Sequence, residues 1–476
     1  MNPPKITQYP TISTAATVLF CVLVLSWWLE VGLRVAFLGT IRWEFLLAAL
    51  ASVFALVHHS ARSKHPRTSG PAPGGNSDII RCIVLFVVVH GLSLPLAIDF
   101  DIAWNAYLNR VVKYAILGLL VSHYVISPST LRTYLFASFV AFLKIGQEAF
   151  LGKITGNMIW ESQGVPRLFG TQGSMFGHPN SLSGKTVSML PFIWYLYPTI
   201  TARWVKLLVL LQVIFAINII VFTASRTGYL TFIAATIFIV AFSRSKKLRM
   251  VGFAIGLSVA AMVFVPQEYK DRFISSFTGE EKEGHSADTR KGLFFDSIKT
   301  FSDHPLGVGA ECFPIYQDLG GRNAQETHNL YTQILAETGV QGFICFVALL
   351  YVIMRKALKI RKRLIALIDH LEAFRNTAPP QAREAVETEL RSDRLFYATT
   401  TAVIVFTLVR LVLGIFGHDL YEIYWWFAAG LTMALQNMSV IAEQRCSEIA
   451  GTPAALDVRQ ANRAQRFRVS KRRVPG

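Results

Sequence analysis

The stretch ETHNLYTQILAETGVQGF, Glu326 to Phe343, has residue types suited to proton transfer at the edge of an apolar region. His328 and Asn329 stand at its start, and nine residues, Leu330 to Thr338, separate them from Gly339 and Gly342. Leu330, Ile334 and Thr338 fall on one face at i, i+4 spacing, which predicts a helix. Thr327 is the expected N-cap and Gly339 the expected C-cap. His328 then sits in the first turn, where the helix dipole disfavours the imidazolium. A neutral imidazole is what a general base requires. The same histidine also fits a polar cap at a membrane interface, and its neighbours decide between the two.

Those neighbours are arginines. Arg226 lies in ASRTGY, at the outer end of an apolar run. Arg290 lies near the start of an amphipathic helix whose apolar positions are Phe294, Phe295, Ile298 and Phe301. Arg410 is inside an apolar span, six or seven residues from its outer end, roughly 10 Å at 1.5 Å per residue. Burying an arginine costs at least about 2.5 kcal/mol on insertion scales, so Arg410 is expected to pair with an acid or bind an anion in a polar cavity. Each has a plainer reading: a snorkelling anchor for Arg226, a solvated charge for Arg290, a structural ion pair for Arg410. Together, several outward arginines and one histidine fit a diphosphate substrate, because guanidinium groups bind phosphate oxygens bidentately and stay charged without a metal. The outer loops offer no clustered carboxylate pair suited to Mg²⁺; Asp99 and Asp101 form a lone DFD. No metal and no cofactor are expected. The five cysteines form no CxxC pair or metal spacing.

The elements that must position these groups are membrane helices. Of 476 residues, 52% are hydrophobic and 16% charged, and the mean hydropathy is +0.41. Apolar runs of bilayer length recur along the chain. The reading is an all-α polytopic membrane protein of about twelve transmembrane helices, with a transmembrane domain over residues 1–443. That domain includes a large, partly helical outward loop, 267–328, between spans nine and ten, and a basic inward loop, 355–394. Residues 444–476 form a basic tail in which no core can form. The net charge of +17 does not point to nucleic acid, because the basic residues gather in alternating loops. About thirty of the 47 Lys and Arg fall on one side by the loop-charge rule. Both termini are then cytoplasmic, the first apolar run is a retained span with no cleavage site, and the polar outer ends face the periplasm.

Taken in order, Arg167, Gly170-Thr171 and FGHPNSLSG, which contains His178, resemble the segment that opens a span in the O-antigen ligase and polymerase family. Ser225-Arg226 resembles that family's SR motif, and DTRKGLFFDSIKTFSDHPLGVGAECF its "R…F.DHPLxGxG…F" stretch. His328-Asn329, nine residues, then Gly339 to Gly342 resembles its HN-x9-GxxG signature. The resemblance runs from Arg167 to Tyr351 and departs at Phe343 and Ile344, where lipopolysaccharide ligases often carry threonines. It implies an inner-membrane glycosyltransferase of GT-C type that moves a glycan from undecaprenyl diphosphate to an acceptor hydroxyl. The acceptor is lipid A-core for a ligase, or a second lipid-linked repeat for an O-antigen or exopolysaccharide polymerase. It further implies that His328 activates the acceptor and that Arg226 and Arg290 bind the diphosphate, joined by Arg410 and Arg167, with Asn329 and His178 in support. A lipid-linked sugar transporter is the reading from another class, but it predicts repeat-related halves with broken midplane helices, and the halves here are dissimilar.

Overall fold

The computed structural model describes residues 6–64, 75–162, 164–244, 266–278, 286–322, 324–417 and 419–451. The first half of the chain gives α1 (Thr14–Leu29), the short α2 (Val31–Arg34) and α3 (Ala36–Thr40), α4 (Trp43–Lys64), α5 (Ser77–Ser93), α6 (Phe100–Ala106), α7 (Lys113–Tyr124) and α8 (Pro128–Thr155). A β-hairpin, β1 (Ile159–Ser162) and β2 (Val165–Leu168), precedes α9 (Pro179–Leu196), α10 (Arg203–Phe222) and α11 (Arg226–Phe242). The second half gives α12 (Gln267–Thr278), α13 (Ser286–Asp303), α14 (Phe313–Leu319), α15 (Leu330–Thr377), α16 (Pro380–Leu413) and α17 (Tyr424–Ala450).

Among the described residues, four helical stretches are long and apolar enough to cross a membrane: Ser77–Leu96, Pro128–Thr155, Arg203–Phe222 and Pro380–Leu413. Shorter apolar helices run over Thr14–Leu29, Trp43–His58 and Arg226–Phe242. An all-α membrane protein is therefore the fold class. α9, an expected span, is not among these apolar stretches, because Ser183, Lys185, Thr186 and Ser188 are all buried along it. A helix enclosed by other helices, and not by lipid, can carry such polar groups at the cost of its mean apolarity. The expected ninth span, most of the RSKKLR cluster and the tail beyond Gly451 lie outside the described residues.

The centre of the bundle is built by α15, α16 and α17 packing on one another and on α5, α7 and α9. Trp425, Trp426, Tyr424 and Phe406 fill it. Three connecting segments carry secondary structure. The link 99–110 is helical: α6 passes through a π-helical turn, Tyr107–Val112, into α7. The outward loop 151–180 contains the β-hairpin, whose register pairs Ile159 with Leu168 and Ser162 with Val165. The basic stretch 355–394 is the continuation of α15 and the start of α16, turning at Ala378-Pro379. This stretch, expected to be a partly helical basic loop, is helical on both sides of the turn, and its charges form ion pairs such as Arg394–Glu372 at 2.9 Å and Arg363–Glu443 at 3.0 Å.

Candidate functional site

The outer end of the bundle is assembled around the start of α15. Its N-cap is Asn329, whose Oδ1 accepts from the backbone N–H groups of Tyr331 (3.0 Å) and Thr332 (3.1 Å). Thr327, the expected cap, instead donates its hydroxyl to the Asn329 carbonyl at 3.0 Å. His328 therefore lies before the helix and not in its first turn, and the dipole argument for its neutrality loses force. Its backbone is left-handed, φ 49°. A non-glycine residue held there carries strain of the kind that concentrates at functional sites. The segment is clamped to the end of α16: Leu330 N–H donates to Gly414 O (2.7 Å), Asn329 Nδ2 to Ile415 O (3.0 Å), and Tyr331 Oη to Leu411 O (2.8 Å). His328 itself remains half-buried.

Nine residues on, Gly339 adopts φ 66°, ψ −171° and breaks the helix, which restarts at Val340. The break frees backbone groups that a continuous helix would use internally. The loop Pro305–Glu311 takes them as a strap. Val308 N–H donates to Ala336 O (2.9 Å), Gly309 N–H to Glu337 O (3.0 Å), and Val340 N–H to Pro305 O (3.1 Å). On the strap's other side Ile98 N–H donates to Val308 O at 2.9 Å. A Cβ on Gly339 would lie 2.4 Å from the Leu306 carbonyl carbon, and one on Gly307 2.5 Å from Glu337 O. The glycines of the two motifs thus exist for each other: they let two backbones touch.

Glu337, not singled out from the sequence, is fully buried at this junction. Its carboxylate accepts from Glu311 N–H at 3.2 Å and Gln333 Nε2 at 3.4 Å. Burial, reinforced by the nearby Glu326, holds it well above the usual carboxylate range. Its adjacency to Gly339 in the ETG triplet was the available signal.

Arg226 opens α11 and is half-buried. Ser225, its N-cap, accepts from Gly228 N–H at 3.1 Å and donates to Asn180 Oδ1 at 2.9 Å. Arg167 meets the same oxygen through Nη2 (2.9 Å) and donates from Nε to Thr223 O (2.9 Å). The SR turn, the β-hairpin and the start of α9 are thereby joined at one amide oxygen. Arg167 is only 2% exposed, so it acts as a strut beneath Arg226. His178 caps α9, its Nδ1 accepting from Asn180 N–H at 3.2 Å. Arg290 stands on α13 one turn before Leu293, and Leu293 packs with Phe313 and Ala336 of α15.

Arg410 resolves toward the ion-pair alternative. It is 1% exposed, paired with Asp419 and stacked 3.7 Å above the Tyr424 ring centroid. Lys185 lies near the same ring and donates to Met175 O. The expected sites thus fall into two tiers. His328, Arg226 and Arg290 are half-buried at one end of the bundle, whereas Arg167 and Arg410 are almost fully enclosed. Asp99 of the DFD caps α6 by accepting from Ile102 N–H at 3.0 Å.

Residues 211–347 match the family model described as O-antigen ligase. The match takes in Arg226, Arg290, the strap, His328 and both glycines, and leaves Arg167, His178 and Arg410 outside it. No curated protein matches the chain.

Proposed function

Taking the O-antigen ligase match over residues 211–347 as premise, we propose that this chain is a glycosyltransferase of the bacterial inner membrane, of ligase type. It moves a glycan from undecaprenyl diphosphate to a hydroxyl of lipid A-core at the periplasmic face, without a metal. The observation that carries the reading is the fixing of His328 and Arg226 at one end of the bundle by a short relay of contacts. Ser225 bonds Asn180 on α9, Gly184 of α9 lies against Leu413 of α16, and Gly414 accepts from Leu330 beside His328.

In the proposed step His328 takes the proton of the acceptor hydroxyl as that oxygen attacks the anomeric carbon. The bond from that carbon to the diphosphate oxygen breaks, and undecaprenyl diphosphate leaves with the electron pair. Arg226 and Arg290 neutralise the charge that develops on the leaving oxygens, the kind of interaction that is strongest in the transition state. Attack opposite the leaving group inverts the anomeric centre. Arg167 and Arg410 are positioning residues in this scheme: one sets the SR turn, the other ties α16 to Asp419. Asn329 and His178 hold the starts of α15 and α9.

The polymerase reading keeps the same base and diphosphate clamp and differs in its acceptor, with Phe343 and Ile344 standing where lipopolysaccharide ligases often have threonines. One assay separates the two. Purified protein is given an undecaprenyl-diphosphate glycan, EDTA, and either lipid A-core or a second lipid-linked repeat. Product on lipid A-core, lost in His328→Ala and Arg290→Ala, supports the ligase. A ladder on the lipid carrier replaces it with the polymerase. No transfer to either acceptor sinks both and returns the transporter.

A further inference from the structure

At the opposite, basic end of the bundle a forked groove opens between helices. Its wider arm, about 1770 Å³, runs between α10 and α11 along Val213, Ile217 and Phe232. Its narrower arm, about 480 Å³, runs between α8 and α10 beside Phe139, Phe142 and Trp204. The two arms share Arg132, Thr199 and Thr201 at their polar junction, and Ile193, Val209 and Leu395 along the ridge that divides them.

The charges at this junction are unbalanced. Arg244 and Arg394, in the wider arm, are paired with Asp369 and Glu372. Among the described residues Arg132 has no hydrogen bond or ion pair, and Arg391 donates only to the Thr388 hydroxyl at 3.3 Å. Gln212, buried in the narrower arm, has an amide oxygen without a hydrogen-bond partner among the described residues. Two apolar channels thus converge on the hydroxyls and the Arg132 guanidinium, with Arg391 lining the wider arm, and neither arginine has a carboxylate partner among the described residues. A basic pocket between membrane helices at the positively charged end is the arrangement that recognises anionic lipid headgroups, and a guanidinium suits the phosphate oxygens.

We propose that the groove binds one two-chain anionic phospholipid, its phosphate at Arg132 and Arg391, and one acyl chain in each arm. The lipid is distinct from the glycan donor, whose diphosphate belongs at the other end of the bundle in the reading above. The site would tie α8, α10, α11 and α16 together through a ligand drawn from the membrane itself.

Native mass spectrometry of the full chain released from nanodiscs tests this, with phosphatidylcholine discs containing a minority of phosphatidylglycerol. The expected result is one retained phosphatidylglycerol, enriched over its share of the disc. Arg132→Gln with Arg391→Gln lowers its occupancy by roughly ten-fold or more, since two charge-assisted hydrogen bonds are lost. Val213→Trp lowers it by blocking the wider arm, and Arg375→Gln, on the hairpin outside the groove, leaves it unchanged. Both arginines are at the surface or ridge of the groove, so the double variant keeps the test open should Val213→Trp fail to fold. Equal retention of both lipids, retention indifferent to the double variant, displacement by inorganic phosphate, or a wild type that retains no phospholipid overturns the proposal.

Discussion

Gly339→Ala tests whether the strap and the helix break are one device. The residue sits at φ 66°, ψ −171°, a region that is essentially glycine-only and costs another residue about 1–3 kcal/mol. The added methyl would also meet backbone, 2.4 Å from the Leu306 carbonyl carbon and 2.6 Å from Pro305 O. Backbone cannot turn aside as a side-chain tip can, so the strap must retreat. Retreat breaks Val340 N–H to Pro305 O and Gly309 N–H to Glu337 O, at about 0.5–1.5 kcal/mol each. The expected loss is about 2–6 kcal/mol, read as a lower melting temperature of the purified protein in one fixed detergent. Gly321→Ala is the control: its φ is 68°, and nothing lies within 4 Å of the added methyl. It should lose only the conformational part, about 1–2 kcal/mol. Transfer activity should fall in Gly339→Ala with a raised KM for the donor, because the strap continues directly from α13, which carries Arg290. Equal melting of the two variants would refute the strap argument, since it would mean that the contacts at Gly339 add nothing to the cost of its φ.

Asn180→Ala removes the oxygen shared by Ser225 and Arg167; a stability loss of about 1–3 kcal/mol is expected for the buried groups left unmatched, with weaker donor binding measured alongside. His328→Ala should abolish transfer while the melting temperature holds, and a strongly destabilised His328→Ala would make the residue structural. Glu337→Gln should flatten the pH dependence of stability. The folded carboxyl titrates above its unfolded value, so wild-type stability falls as pH rises from the unfolded pKa to the folded one. The amide, fixed neutral, escapes that fall, and melting curves at mildly acidic and neutral pH would show the variant gaining on wild type only at the higher pH.

How much of this was legible depended on range along the chain. The spacing of His328, Asn329, Gly339 and Gly342 is local, and the helix and its break fall where those residues place them. Thr327 and Asn329 are both competent caps two residues apart, and the choice went to Asn329 because Ile415, 86 residues away, takes its other amide group. Arg410 was recognisable as a buried charge in need of a partner, but Asp419 becomes that partner only when the chain turns back at 414–420. Asn180 looked like one letter of a motif, and its oxygen is shared by two residues that sequence separation hides. The full extent of helix in 355–394 was obscured by its charges, whose partners include Glu372 and Glu387 within the hairpin, Asp78 on α5 and Glu443 on α17.

The break at Gly339 also divides α15 mechanically. From Val340 to Thr377 the rod is about 57 Å long at 1.5 Å per residue, against a hydrocarbon layer of about 30 Å, so a substantial overhang projects past the basic end. Without the break, any push on that overhang would reach the proposed base as through a stiff lever. Gly339 interrupts that lever, and the strap grips the chain on both sides of the break, at Ala336 and Glu337 before it and at Val340 after it. The tip at Ala378-Pro379 also begins α16, which runs unbroken from Pro380 to Leu413, so a load placed there reaches the clamp around His328 through α16 and not through α15.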